Sequence, residues 1–341
     1  MSMSTMKPFQ WTNAASVDQA LALMAEKGTS LKAGGVDLVD LMKEQIASPE
    51  RVVNIRAIRE LDYVKLDDGD GSLRVGPLVT LARLSEEPVV RQKFAALADA
   101  AGHAATPQIR NMATLGGNLL QRPRCWYFRN QMFPCRKKGG EICYAQEGEN
   151  QYHAIFNNAL CAIVHPSATA AALVAMGATL QLTSAKDKRD VKAEDFFILP
   201  NVDLHRENQL RDDEMITEIR VPALPASARS AYIKQGEKES FDWPIAECAV
   251  VIDRDGDKVK TASIVMGAAA PVPHRARDAE KALVGQSISP ETARSAAKAA
   301  LEGARPMANN RYKLALLETI VMRTILMAVG MSEAQSNGGG R

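Results

Sequence analysis

The start of the chain alternates between helical and extended spacing of its apolar residues. Apolar residues three and four positions apart follow Ser16, and this spacing predicts a helix whose first turn is capped by Ser16. Apolar runs at residues 30–33 and 51–55 predict two strands, with a helical turn at 38–42 between them. The pattern therefore predicts a compact αβ unit over residues 1–60.

A longer mixed unit is predicted over residues 61–225. Two polar stretches, residues 106–121 and 125–151, interrupt its periodic patterns and are typical of loops. The predicted regular elements are strands at 72–75, 161–164, 178–183 and 214–221, and helices at 84–103 and 169–176.

Prolines near residue 225 mark a boundary, and a third domain is predicted over residues 228–330. Its elements are strands at 231–235, 245–252 and 259–268, followed by helices at 275–283, 290–301 and 310–329. The polar, glycine-rich end, residues 331–341, is predicted to be disordered. The whole chain is thus predicted to be an α+β protein whose last domain combines an antiparallel sheet with helices.

Composition and charge exclude several classes of function. The chain has 341 residues with 42 Lys and Arg against 40 Asp and Glu, and this near balance argues against a nucleic-acid partner. No apolar run is long enough for a membrane span, so no membrane insertion is predicted. Residues 1–15 lack an export signal, which predicts a cytoplasmic protein; co-export with a signal-bearing partner would place it in the periplasm instead.

Two Gly-Gly loops are the candidate cofactor site, since neither GxGxxG nor a P-loop occurs. Glycines let the backbone approach a ligand and point several N–H groups at an anion. A single Gly-Gly is also typical of a simple turn, but two such loops, each at a predicted strand end, favour a nucleotide cofactor. The first loop comprises Leu31, Lys32, Ala33, Gly34, Gly35, Val36, Asp37 and Leu38. The second comprises Arg110, Asn111, Thr114, Gly116, Gly117, Asn118 and Leu119.

Four of the five cysteines fall in one short segment, and they are Cys125, Cys135, Cys143 and Cys161. No CxxC pair occurs, so a zinc ribbon or a thioredoxin-like motif is disfavoured. Four thiolates suit either zinc or an iron–sulfur cluster, and four idle reduced thiols are the alternative. Basic residues in the segment would offset thiolate charge, or simply form a solvated loop. Cys248, inside a predicted strand, is expected to be a buried core thiol.

These segments together resemble the FAD-binding medium subunit of the molybdenum hydroxylases, a family that includes xanthine, carbon monoxide and aldehyde dehydrogenases. The resemblance rests on the first loop, on residues 108–119, on His165-Pro166-Ser167 and on Tyr232-Ile233-Lys234. It implies a two-lobed FAD domain of the vanillyl-alcohol-oxidase type, with lobes at 1–60 and 61–225, followed by a carbon monoxide dehydrogenase flavoprotein C-terminal domain. Both loops would bind FAD, and the resemblance adds Thr106, Val164 and Lys234 to the binding residues.

Two positions depart from the family pattern. Ala168 stands where many relatives have Asp after the His-Pro-Ser, which removes a carboxylate near the flavin. Val36 replaces a common Thr in the first loop and removes one hydroxyl that would contact the pyrophosphate. Backbone contacts are compatible with both changes.

The cysteine segment, residues 122–161, resembles the medium subunit of bacterial periplasmic aldehyde oxidoreductases. The matching residues include Arg124-Cys125-x-Tyr127-Phe128 and Cys143-x-Ala145-x-Glu147-Gly148. This resemblance implies a [4Fe–4S] cluster beside FAD, with Cys125, Cys135, Cys143 and Cys161 as its ligands. A related insertion with such a cluster occurs in 4-hydroxybenzoyl-CoA reductase.

The function implied is that of an electron-transfer subunit rather than of the subunit that oxidises the substrate. Its implied partners are a large subunit with the molybdenum cofactor and a small [2Fe–2S] subunit, in a heterotrimer or a dimer of trimers, together with an external electron acceptor. No catalytic acid–base pair is predicted, and His153 and His165 are expected to be structural. The alternatives are a subunit of a 4-hydroxybenzoyl-CoA reductase-like enzyme and a zinc-stapled nucleotide-binding scaffold.

Overall fold

The computed structural model describes residues 6–238 and 241–331. The predicted disordered tail lies, from residue 332 onward, outside the described residues. Three sheets organise the described chain, and each belongs to one of three successive units.

The first unit is a three-stranded parallel sheet with two helices. Its elements are β1 (Gln10–Asn13), α1 (Val17–Met24), β2 (Thr29–Lys32), α2 (Val36–Lys43) and β3 (Arg51–Asn54). The strand order is β1-β3-β2. The Ser16 side chain accepts a hydrogen bond from the Gln19 amide and so caps α1 as predicted. The hydrophobic pattern missed β1 because its side chains are largely exposed, so no apolar alternation marks it.

The second unit surrounds a five-stranded antiparallel sheet of order β4-β5-β8-β6-β7. In chain order its elements are β4 (Val64–Leu66), β5 (Leu73–Val75), α3 (Leu81–Glu86), α4 (Pro88–Lys93), α5 (Ala95–Gly102), α6 (Pro107–Arg110), α7 (Leu115–Leu119), α8 (Trp126–Arg129), α9 (Ala168–Ala175), β6 (Thr179–Thr183), β7 (Lys188–Lys192), α10 (Ala193–Phe196) and β8 (Met215–Val221). Every residue of α9 is buried, because this helix lies between the second sheet and the third.

Three predictions for this unit were wrong. The single helix at 84–103 is three short helices. The first break follows from Pro88, which disfavours helical geometry at Glu87, extended at ψ 119°, and the second falls at Phe94, which is non-helical at φ −133°. The strand at 161–164 is a loop whose backbone bonds go to separate segments, as when the His165 amide donates to the Ala270 carbonyl. The second glycine loop does not follow a strand: it runs from the end of α6 through α7, so that Gly116 and Gly117 lie within a short helix.

The third unit is a four-stranded antiparallel sheet of order β12-β11-β10-β9, covered by helices. Its elements are β9 (Arg229–Gln235), β10 (Ala246–Asp255), β11 (Lys258–Gly267), β12 (His274–Arg275), α11 (Arg277–Leu283), α12 (Pro290–Ala299) and α13 (Lys313–Ala328). Cys248 is fully buried in the core between the sheet and the helices, which confirms the prediction of a core thiol. The α+β class with an antiparallel C-terminal sheet is likewise confirmed.

Candidate cofactor sites

The two glycine loops contact each other at the bottom of a large cleft. A Cβ placed on Gly34 would lie 2.0 Å from the Met112 carbonyl oxygen, so only glycine allows the first loop to approach the second so closely. Gly116 has the same constraint against Pro77, whose Cβ would be 2.8 Å away. The cleft has a volume of about 900 Å³. This places it among the larger ligand pockets of proteins.

Most of the predicted binding residues line this cleft. They are Leu31, Lys32, Ala33, Gly34, Gly35, Val36, Asp37, Leu38, Thr114, Gly116, Gly117, Asn118 and Lys234. Gly35 takes a left-handed backbone conformation, with φ 79°, immediately before α2 begins. The Thr114 hydroxyl caps α7 by accepting from the Gly117 amide at 3.2 Å. The loops thus present main-chain groups and small side chains to the cleft, as a bound pyrophosphate requires.

The other predicted residues stand outside the lining, and they are Thr106, Arg110, Asn111, Leu119 and Val164. Thr106 caps α6 by accepting from the Ile109 amide, and Leu119 is buried in the core. Arg110 donates to the carbonyls of Ala104 and Ala105, two residues that do line the cleft. Arg110 therefore supports the wall of the cleft from behind.

Sequence reasoning missed the far wall of the cleft. Residues 205–208 and 210–212 line it, as do the aromatic side chains of Phe241 and Trp243. Phe241 takes an unusual left-handed backbone conformation at φ 77°, and such strained positions cluster at ligand sites. No spacing or motif marks these residues, because they come from segments distant from both glycine loops.

Lys234 is held at the edge of the cleft by two main-chain hydrogen bonds. Its Nζ donates to the His103 carbonyl at 2.9 Å and to the Asp242 carbonyl at 2.7 Å. Burial lowers the pKa of this lysine below its ordinary value. The ammonium group thereby ties the second unit to the segment that carries Trp243.

A buried carboxylate lies behind Lys234 in the third sheet. Glu247 pairs with Lys234 on one side and Gly267 on the other, and a Cβ on Gly267 would stand 1.9 Å from Glu247 Oε1. The Tyr232 hydroxyl donates to the Glu247 carboxylate. Lys313, also fully buried, donates to two main-chain carbonyls nearby and attracts this carboxylate. Burial raises the pKa of Glu247 to about 7 and lowers the pKa of Lys313 to about 7.

The buried Glu247 is expected to make stability depend on pH. Between pH 4.5 and 7 the folded chain keeps a proton on Glu247 that the unfolded chain has released, so its contribution to the unfolding free energy falls as pH rises. Relative to E247Q, which keeps a neutral side chain, wild type should lose about 3 kcal/mol at most across this window. Urea unfolding of both proteins at pH 5 and pH 7.5 measures the difference. A pH-independent difference would show that Glu247 is already ionised in the folded protein.

All four clustered cysteines line one small pocket beside the cleft, and none of them forms a disulfide. Cys135 and Cys161 are buried, and Cys125 and Cys143 are half-buried. Main-chain amides lie within hydrogen-bonding reach of the sulfurs of Cys125, Cys143 and Cys161. These amides belong to Tyr127, Phe128, Ala145, Ala162 and Ile163. Amides aimed at sulfur stabilise thiolate and tune an iron–sulfur centre.

The thiols of this pocket have pKa values shifted in opposite directions. Burial raises the pKa of the Cys125 thiol to about 12, while the hydrogen bond with Cys161 lowers the pKa of Cys143. Arg136 and Lys137 also line the pocket and bring positive charge to it. Lys137 is buried, and its Nζ forms an ion pair with Glu207 at 2.8 Å.

The pocket is narrow, and the Cys143 and Cys161 thiols lie within hydrogen-bonding reach of each other. Across residues 6–238 and 241–331, no three or more His, Cys, Asp or Glu side chains converge as ligands of one metal ion. A tetrahedral zinc needs all four sulfurs about 2.3 Å from one centre. Four thiolates are compatible with either a tetrahedral zinc or an iron–sulfur cluster.

The two predicted structural histidines are buried and neutral. Burial lowers the pKa of His153 to about 4 and that of His165 to about 3. His153 Nε2 lies 3.2 Å from Cys125 Sγ, and its ring packs edge-on against Trp126. His165 packs against the Phe197 ring.

Helix α2 borders both sites. Its first residues line the cleft, while Leu41 packs against Phe128 and Cys135 of the cysteine segment. The cleft and the cysteine pocket are therefore separated by little more than this one helix.

The fold and the cleft define a nucleotide-cofactor protein of mixed α+β architecture. A family model described as the FAD binding domain in molybdopterin dehydrogenase matches residues 7–224, and one for the CO dehydrogenase flavoprotein C-terminal domain matches residues 231–328. The chain belongs to this family of FAD-binding subunits of molybdenum hydroxylases.

Curated relatives resemble the chain over nearly its whole length. The FAD-binding subunit PaoB of an aldehyde oxidoreductase from Escherichia coli K12 is 30% identical over 94% of this chain and 96% of its own. The carbon monoxide dehydrogenase medium chain of Hydrogenophaga pseudoflava is 28% identical over 93% of this chain and 96% of its own.

Solved structures agree in fold. Carbon monoxide dehydrogenase from Hydrogenophaga pseudoflava superposes with a TM-score of 0.74 at 28% identity, covering 95% of this chain and 98% of that chain. The reconstituted enzyme from Oligotropha carboxidovorans gives a TM-score of 0.76 at 23% identity, covering 96% of this chain and all of the other, and supports the fold alone. In the described ranges, no helix combines the length and apolar character required to cross a membrane.

Proposed function

We propose that this chain is the electron-transfer flavoprotein subunit of a molybdenum-containing aldehyde oxidoreductase, and that it carries a [4Fe–4S] cluster beside FAD. The observation that carries the proposal is the shared border between the two sites, formed by α2. Bound FAD supplies the exchange between one- and two-electron chemistry, and the chain supplies its position and surroundings.

The residues fit an FAD molecule at the cleft. Gly34 and Gly116 leave room for close backbone approach, and Thr114 orders the second loop through its cap on α7. Lys234 and Trp243 stand at the edge of the same cleft. We propose that the lining residues of both loops, together with Lys234, bind the cofactor.

The residues also fit a cluster at the cysteine pocket. Cys125, Cys135, Cys143 and Cys161 are the proposed ligands, and the amides near their sulfurs would offset the negative charge of a thiolate-bound cluster. The ion pair between Lys137 and Glu207 anchors the pocket to the far wall of the cleft.

The proposed partners are a large subunit with the molybdenum cofactor and a small [2Fe–2S] subunit, in a heterotrimer or a dimer of trimers that delivers electrons to an external acceptor. The relatives' own names, FAD-binding subunit and medium chain, support a multi-subunit assembly. Exposed apolar side chains on the cysteine segment also support docking there; they are Met132, Ile142 and Leu160. The aldehyde assignment rests on the similarity to PaoB.

The absorbance spectrum and metal content of this chain, purified apart from the [2Fe–2S] subunit, test the proposal. FAD should give bands near about 370 and 450 nm, and an iron–sulfur cluster should add a broad shoulder. The chain should contain about four iron atoms, as one [4Fe–4S] cluster requires, and FAD should be present in the same preparation. A colourless preparation that contains zinc and lacks iron would instead establish the nucleotide-binding scaffold.

A further inference from the structure

The first glycine loop and the cysteine segment are joined by a dense set of ion pairs. Asp37, in the first turn of α2, accepts hydrogen bonds from Arg129 at 2.7 Å, from Arg124 at 2.9 Å and from the Arg122 amide at 2.9 Å. All three donors belong to the segment that holds the cysteines. Although Asp37 also lines the cleft, its carboxylate is committed to this segment.

Arg129 lies at the centre of these ion pairs. We call the set the joint; it consists of Asp37, Asp40, Glu44, Arg124 and Arg129. Its guanidinium also reaches Asp40 at 3.2 Å and Glu44 at 3.7 Å, one and two turns further along α2. The Arg129 side chain is only 8% exposed, and it donates to the Pro123 carbonyl as well. A buried, multiply bonded guanidinium fixes the relative position of the two elements it joins.

The joint is one helical turn from a proposed cluster ligand. Helix α8 begins after Cys125, and the Arg129 amide donates to the Cys125 carbonyl at 2.9 Å. This helical turn connects the backbone of Cys125 directly to that of Arg129. Leu41 adds an apolar contact between α2 and the same segment, against Phe128 and Cys135.

We infer that Arg129, acting on Asp37 and Asp40, is a positioning residue that couples the two cofactor sites, so that a filled cysteine pocket tightens the binding of FAD. This inference rests on the proposed function, since it needs both cofactors. Bonds to iron fix a segment that is otherwise held by weaker contacts. The joint then holds α2, and with it Gly34 and Gly35, in the binding arrangement before FAD arrives, which removes part of the ordering cost of binding.

The coupling is reciprocal by thermodynamic necessity. If a filled cysteine pocket raises the affinity for FAD, bound FAD must slow the loss of iron from the pocket by stabilising the same arrangement. The charge at the joint is carried by Asp37, Asp40, Glu44, Arg124 and Arg129, all within the described chain.

The test measures FAD affinity by fluorescence quenching on the full chain, depleted of FAD, with and without anaerobic reconstitution by iron and sulfide. In wild type, reconstitution should tighten FAD binding about tenfold, within the range of ordinary allosteric coupling. In R129Q the iron content should stay unchanged while this tightening is lost. R129K, which keeps the charge but not the bidentate geometry, should lose most of it and serves if R129Q does not fold.

Arg275→Gln is the matched control. Arg275 is also held by two carboxylates, Glu194 at 2.9 Å and Glu280 at 2.8 Å, but it lines neither the cleft nor the cysteine pocket, so the coupling should persist in this variant. Equal FAD affinity with and without iron in wild type would overturn the inference while leaving both cofactors in place. Failure of wild type to bind FAD or to take up iron would instead overturn the proposed function.

Discussion

Replacement of Gly34 by alanine is expected to abolish tight FAD binding. The added methyl group would lie 2.0 Å from the Met112 carbonyl oxygen, a backbone atom that cannot rotate away as the end of a flexible side chain could. The two loops must then separate by more than an ångström at the point where they approach each other. We expect the affinity for FAD to fall roughly 100-fold or more, which corresponds to about 2.7 kcal/mol.

Gly102→Ala is the matched control for this prediction. Gly102 ends helix α5, and a Cβ there would make only an ordinary contact, 3.4 Å from Ser85 Cβ. Alanine also favours helix, so this variant should bind FAD as wild type does. Fluorescence quenching gives the affinity, and circular dichroism shows whether each variant is folded. Unchanged FAD affinity in a folded G34A protein would mean that the cofactor does not depend on the contact between the two loops.

Replacement of Cys161 by alanine is expected to remove iron from the protein. Cys161 is buried beside Cys143, and its loss leaves the pocket with three thiols of the proposed four. A cluster with one ligand missing is open to solvent and is lost on purification. The measurement is iron content together with the broad absorbance shoulder. FAD should stay bound, more weakly if the joint at Arg129 couples the sites.

Cys248→Ala separates this effect from simple loss of a buried thiol. Cys248 is as buried as Cys161, but it lies in β10 within the core of the third unit. Each variant removes one buried sulfur atom and leaves a similar small cavity, so the cavity contribution to the fall in stability should be comparable. Iron should persist in C248A and disappear from C161A. Equal iron in both would remove Cys161 from the ligand set.

The sequence predicted the elements with strong periodicity well. Ser16 marked the start of α1, and the long strands β10 and β11 followed from their apolar runs. It failed where local patterns compete with distant contacts. The loop at 161–164 has the apolar character of a strand, yet its residues are buried by packing around the cysteine pocket rather than by a sheet.

The residues of the candidate site likewise include some that the sequence predicted and some that it did not. The glycine pairs could be predicted as site residues because only glycine permits close backbone approach, and the residue type alone therefore indicates it. The predicted side chains of Arg110 and Leu119 stand outside the cleft, since one supports the wall and the other fills the core. The far wall at Phe241 and Trp243 carries no local signature, because a cleft wall is defined by what faces it.

The sequence by itself determined the class of cofactor loop, the concentration of four thiols in one segment and the apolar faces of the helices, since each depends on residue type and near neighbours. Only the tertiary structure decided that the four thiols share a pocket, that α2 separates this pocket from the cleft, and that Asp37 turns toward Arg124 and Arg129. These facts join residues far apart in the chain. Chain folding alone sets their distances, and a local pattern contains no information about them.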